Sequence, residues 1–201
     1  MNNFVNGVYK VTQFVYKLMQ LNVLWLVFVL RGLIIFGVYP ATAALFSVIR
    51  QLDKREDINV YQLFKHYFKQ EFKLSNLIGI PTLLIVYLLL VSYQFLAADY
   101  QPMFISVRYI VLIALVLMSV HTTYLFPIIS HYNFARFSDY WKLPIVFGLG
   151  YVGRTILIFC LLALSYYAFI QWSVLIPFLG ISVNSFIIYQ LTKGLLKKHP
   201  I

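Results

Sequence analysis

Three long stretches of this chain carry no charge at all, and they restrict what it can fold into more than any other feature. Leu74 to Ala98 is 25 residues without Asp, Glu, Lys or Arg, Tyr109 to Ala135 is 27, and Thr155 to Thr192 is 38. A helix crossing the hydrocarbon layer needs about 20 apolar residues, so these windows are long enough for three spans or more. The wider composition agrees: 62% of residues are apolar and 11% charged, whereas a soluble domain carries roughly 25% charged residues. The chain therefore reads as a polytopic bundle of transmembrane helices, all-α, with residues 1–201 forming a single membrane domain.

Five spans are expected, at about 21–38, 77–96, 105–126, 144–166 and 174–191. Before the first, Phe4, Val8, Val11, Val15 and Leu18 recur at helical spacing, which suits a helix lying in the headgroup layer. The apolar stretch before Ala41-Thr42-Ala43 meets the small-residue rule for a signal-peptide site. Arg31 interrupts it, however, and some 40 residues precede the site, so the segment reads as retained. Pro40 is expected to end the first span, because proline lacks the amide that the helix needs and clashes with the preceding turn. A short helix, Ala41 to Ile49, then leads out of the membrane. Between Arg50 and Lys73 lies the one strongly charged segment. Within it Tyr61, Phe64, Phe68 and Phe72 form an aromatic stripe, and Lys65, Lys69 and Lys73 form an adjoining basic one. That pattern predicts an amphipathic cytoplasmic helix, with Lys65, Lys69, Lys73, Phe68 and Phe72 as contacts for anionic lipid or for a partner. A second aromatic segment, Tyr132 to Trp141, precedes span four. Gln171-Trp172-Ser173 with Pro177 marks the turn inside the longest uncharged window.

The chain carries a net charge of +10. Its basic residues flank the spans, which points to anionic lipid and the positive-inside rule rather than to nucleic acid. Eleven Lys and Arg, from Arg50, Lys54 and Arg55 through Lys65, Lys69, Lys73, Arg136 and Lys142 to Lys193, Lys197 and Lys198, fall on one side of the five-span arrangement. Lys10, Lys17 and Arg108 fall on the other. This predicts a multi-pass plasma-membrane protein with a cytoplasmic C-terminus. A six-span alternative makes Arg31-Gly32 the tip of a tight hairpin and moves Lys10 and Lys17 inside.

Arg31 and Arg154 are expected near mid-bilayer as a buried polar site, with no acid at their depth. Charge there costs on the order of 3 kcal/mol on insertion scales, so each must find carbonyls, polar side chains, water or a bound anion. His121 and His131 stand ten residues apart without a nearby carboxylate or thiolate, too sparse for a metal site. No set of nucleophile, base and orienting acid is visible, and neither is a phosphate loop, so no catalytic residue, metal or cofactor is assigned. The lone Cys160 cannot form an internal disulfide. A weak repeat at an offset of 69 pairs Phe68 with Phe137, Phe72 with Trp141 and Gly79 with Gly148. Internal repeats are common in transporters, although two re-entry points with the same anchors explain the match as well.

Asn22-Val23-Leu24-Trp25, the run Phe36-Gly37-Val38-Tyr39-Pro40-Ala41-Thr42-Ala43-Ala44-Leu45-Phe46, the stretch from Asp57-Ile58 to Ser75-Asn76-Leu77, and Tyr124-Leu125-Phe126-Pro127 to His131-Tyr132 together resemble the YesL-like family of small bacterial membrane proteins. Arg31 departs from the apolar residue expected at its position. The family is a domain of unknown function, mainly in Gram-positive bacteria and often encoded near carbohydrate uptake systems. The resemblance implies a non-enzymatic accessory to such a system, with a sugar permease or a second copy of the chain as partner. The repeat, the proline breaks and the arginines keep open a different class, a small oligomeric transporter or channel for a polar or anionic solute.

Overall fold

A computed structural model describes residues 2–54, 58–97, 102–134 and 136–198. Arg55, Asp57, Asp99, Gln101 and His199 fall outside the described residues, as do the side chains of Phe4, Lys10, Lys197 and Lys198. The described chain is helical throughout: α1 (Asn2–Arg31), α2 (Ile35–Leu52), α3 (Val60–Ala97), α4 (Pro102–His131), α5 (Asp139–Gly150), α6 (Val152–Gln171), a 3-10 turn at Ser173–Leu175, and α7 (Ile176–Lys198). Six helices among the described residues are long and apolar enough to cross a membrane: α1 to α4, α6, and α7 with the turn before it.

Residues 21–38, expected as one span, are broken in two. α1 ends at Arg31 and α2 begins at Ile35, so the chain doubles back at the Arg31-Gly32 tip. The two helices then lie side by side, with Trp25 Nε1 donating to Thr42 Oγ1 at 3.0 Å. Glycine makes this approach possible. A Cβ on Gly32 would overlap the Gly37 backbone, and one on Gly37 would overlap the Val29 carbonyl. Pro40, expected to stop a helix, lies inside α2. Its ring leaves the Phe36 carbonyl without the usual amide four residues on, and Asn76 Nδ2 of α3 donates to that oxygen at 3.0 Å.

The expected amphipathic helix and second span form one helix, α3, 38 residues long. Nothing between Lys73 and Leu77 breaks it, and Pro81 lies within it. Span three likewise continues through Pro127 to His131. Span four, expected from 144 to 166, is divided at Tyr151 into α5 and α6. Gly148, Gly150 and Gly153 weaken the helix there, because each costs roughly 1 kcal/mol relative to alanine. Thr155 Oγ1 donates to the Gly148 carbonyl at 2.7 Å across the break. The turn expected at Gln171-Trp172-Ser173 lies between α6 and α7.

α2 is the centre of the bundle. Ala41, Ala43, Ala44, Leu45 and Phe46 are fully buried, and this run of small residues lets α1, α3 and α4 close around it, as tight membrane packing requires. Gly79 of α3 lies so close that a Cβ would overlap the Tyr39 ring. α1 also packs along α7. Asn22 Nδ2 donates to the Pro177 carbonyl at 2.6 Å, and Asn22 Oδ1 accepts from the Ile181 and Ser182 amides at 2.9 and 3.1 Å. In contrast, the second half of α3 from Leu83 and the first half of α4 from Met103 are largely exposed, with outward Leu84, Leu88, Val91, Ile110 and Ile113.

Candidate functional site

Arg31 and Arg154 are not brought together, and neither is buried within the protein. Arg31 closes the last turn of α1 at the hairpin tip, where its charge complements the helix C-terminus. Its guanidinium lies 5.3 Å from the Phe28 ring centroid. Arg154 projects from α6 over Tyr151, 5.9 Å from the ring centroid, and close to Gly194 of α7. The buried polar site expected at Arg31 and Arg154 is therefore not formed inside the bundle: a helix end and the α5–α6 break leave each charge on the protein surface.

The aromatic and basic stripes of α3 separate in the same way. Lys65, Lys69 and Lys73 are exposed along one edge. Phe64 and Phe68 are buried instead, with ring centroids 5.2 and 4.9 Å from that of Phe28. Phe68 is thus a core residue rather than an outward contact. Phe72 remains at the surface, 5.6 Å from Phe68. Beside it Phe36, Leu77, Ile80 and Pro81 line an apolar groove of about 590 Å³, with Lys73 and Asn76 at its edge.

A second, polar chamber of about 180 Å³ occupies the end of the bundle where α2 and α4 finish. Ser47 and Arg50 reach it from α2, Tyr67, Gln70 and Glu71 from α3, and Ser130, His131 and Asn133 from the end of α4. It has room for about six water molecules. Glu71 is only 5% exposed and accepts from Gln70 Nε2 at 3.2 Å. The Arg50 charge acts on it from across the chamber, while Arg50 Nε is buried without a hydrogen-bond partner. Tyr67 Oη accepts from Gln51 Nε2 at 2.9 Å and ties the wall together. The same end is closed by an ion pair, Lys193 Nζ to Asp53 Oδ1 at 2.8 Å, and by Tyr132 Oη donating to the Leu196 carbonyl at 2.6 Å. Burial raises the pKa of the Tyr132 and Tyr140 hydroxyls, which keeps both as donors.

Sequence reasoning missed this chamber, although one signal was present. Phe64, Phe68, Glu71, Ser75, Ile78 and Thr82 follow spacings of four and three along α3, and all are buried. Glu71 is the acid on that inward stripe. His121 is buried and stacks on Trp141 with centroids 5.0 Å apart. His131 lies elsewhere, at the chamber. No group of three or more potential metal ligands occurs among the described residues.

An all-helical bundle with membrane-length apolar helices, a closed core and a small polar chamber at one end defines a class of integral membrane protein rather than an activity. Residues 18–93, from the middle of α1 to near the end of α3, match the family model described as a protein of unknown function, DUF624. Three proteins of Bacillus subtilis (strain 168), each described as uncharacterized, are similar to the chain. YesL is 35% identical over 133 residues, covering 66% of this chain and 62% of YesL. YteU is 29% identical over 180 residues, covering 88% and 79%. YesV is 33% identical over 129 residues, covering 64% and 62%. Residues 18–93 thus carry the likeness to DUF624, and the chain is similar to YesL-like proteins over most of its length while spanning about three fifths of YesL and YesV. No solved structure matches it. The family match coincides with the α1–α2 hairpin and the α3 helix packed on it, so the Pro-Ala-Thr-Ala-Ala-Leu-Phe run has a physical meaning as the central, closely packed helix.

Proposed function

We propose that the protein is a non-enzymatic accessory of a carbohydrate uptake system, docking in the membrane against a sugar permease. The observation that carries this reading is the contrast between arginines held at the protein surface and wide, bare apolar flanks. Neither Arg31 nor Arg154 lines the apolar groove, the polar chamber or the cleft of about 230 Å³ beside Asp53 and Gln190. A solute path through the bundle would need a wet route at such charges. The outer halves of α3 and α4 and the face of α6 with Ile156, Leu157 and Phe159 offer a wide exposed apolar surface instead. On that surface Arg154 is a cation suited to a partner's acid or to a lipid headgroup. The sugar-import context comes from the family resemblance alone.

The test is capture of the tagged protein in mild detergent, with identification of what co-purifies. Recovery of a permease subunit with the wild type and with Arg31→Leu, but its loss with normally expressed Arg154→Leu, is the expected result. Purified protein that moves a polar or anionic solute across proteoliposomes would instead establish the transporter reading.

A further inference from the structure

We infer that the groove between the α1–α2 turn and α3 is a binding site for one anionic phospholipid, a site that stands whether or not a permease partner exists. Phe36 forms one wall, and Phe72, Leu77, Ile80 and Pro81 form the other. Leu77 is 60% exposed and Phe36 48%, so the protein itself leaves this apolar trough open. The trough has a polar end. Lys73 stands at its edge immediately before the 25-residue uncharged window, and Pro81 lies eight residues further along α3, about 12 Å at the helical rise. A lipid presents the same sequence of chemistry over the same distance, an anionic phosphate followed by hydrocarbon. No acidic residue lines the groove to oppose it, and Lys69 and Lys65 continue the basic edge one and two turns back.

Asn76 lines the groove one turn beyond Lys73 and spends both amide hydrogens inside the protein, on the Phe36 and Phe72 carbonyls at 3.0 Å each, which leaves Lys73 as the charged group of the lining. Phosphatidylglycerol supplies a phosphate for it and hydrocarbon for the trough, and has no cation of its own to compete with Lys73.

The test uses the full chain, purified in a neutral detergent and titrated with dioleoyl-phosphatidylglycerol, dioleoyl-phosphatidylcholine or inorganic phosphate while the thermal midpoint is followed. Phosphatidylglycerol should raise the midpoint by several degrees in a saturable, salt-weakened manner, and the other two should leave it within a degree. Lys73→Gln should weaken the half-saturating concentration at least fivefold, whereas Lys65→Gln should change it less than twofold. Leu77→Trp, which fills the trough without touching the charge, should also abolish saturation. Equal stabilisation by both lipids would overturn the proposal. Equal loss with Lys65→Gln and Lys73→Gln would overturn it too, since that is diffuse attraction to a basic surface, and so would stabilisation by phosphate alone, because the trough would then contribute nothing.

Discussion

Leu33 and Ile34 hold positive φ values of 58° and 62°, a conformation that glycine adopts freely and a β-branched residue resists. The bonds around them explain why. Ile34 N donates to the Val29 carbonyl and Leu33 N to the Leu30 carbonyl, the paired closure that ends many helices and normally places glycine at the position Leu33 occupies. Ile35 N then donates to the Leu33 carbonyl at 2.8 Å, making Ile34 the centre of the rare, strained γ-turn. Glycine is used one residue earlier, at Gly32, where the Gly37 backbone leaves no room for a Cβ. Leu33 is 79% exposed and so contributes little packing. Leu33→Gly should therefore stabilise the protein by about 1 kcal/mol, read as a higher thermal midpoint in detergent, whereas Gly37→Ala should destabilise it by about 1–3 kcal/mol through overpacking. A lower midpoint for Leu33→Gly would mean that the side chain holds the tip in place. The hairpin was legible only as the six-span alternative with Arg31-Gly32 at its tip, and the strained turn at Leu33 and Ile34 was not legible at all. Arg31-Gly32-Leu33-Ile34-Ile35 lies inside an apolar run, and Pro40 is the more conspicuous breaker. The partner that neutralises Pro40, Asn76, is 36 residues away.

At the level of the helix, α3 combines three environments along one rod: a buried stripe toward α1 and α2, an exposed lysine edge, and a bare apolar end. The spacing of Phe64 and Phe68 and of the lysines was readable, as was the long apolar run after Lys73. The sequence could not reveal that these belong to one uninterrupted helix, because amphipathic and fully apolar segments look like separate elements when no partner is in view. Glu71 shows the same limit, since an acid among lysines reads as a solvated face until α2 and α4 cover it. Glu71 is buried and Arg50 half-buried, and the Arg50 charge favours the carboxylate across the chamber without a direct ion pair. Removing Arg50 therefore costs about 1 kcal/mol, less than breaking a hydrogen-bonded buried pair, while replacing both with apolar residues is often neutral. Arg50→Leu is accordingly expected to lower the thermal midpoint modestly, and the Arg50→Leu/Glu71→Leu double variant to recover most of the loss. A double variant no more stable than Arg50→Leu would show that the two charges act independently.

For the molecule as a whole, the hairpin replaces the five-span arrangement with the six-span alternative, the one in which the basic residues are more unevenly divided. α1 leaves from and α2 returns to the same end of the bundle, where Phe14 and Leu18 share a cleft with Leu52 and Asp53. Lys17 therefore belongs with the Arg50–Asp53 end, opposite to its place in a five-span arrangement. The bonds from Lys193 to Asp53 and from Tyr132 to Leu196 gather the α2–α3 connection, the α4–α5 connection and the end of α7 there as well. Tags at either terminus and reporters inserted after Lys54 or Asn133 should report one compartment, expected to be the cytoplasm from the clustered lysines, and a reporter after Ala97 should report the opposite one. Opposite signals from the two termini would refute the arrangement. The uncharged windows and lysine clusters thus conveyed the class of protein and the location of most helices. The pairing of helices, on which the side of each terminus depends, rests on contacts between residues distant in sequence. Asn22 shows how distant they can be: its carboxamide joins a carbonyl and an amide, those of Pro177 and Ile181, that a regular helix pairs with each other, so the last helix takes part of its backbone bonding from the first. A ribosome must deliver some 155 further residues before that bond can form. Until then the Asn22 carboxamide lacks the backbone partners it has in the finished bundle.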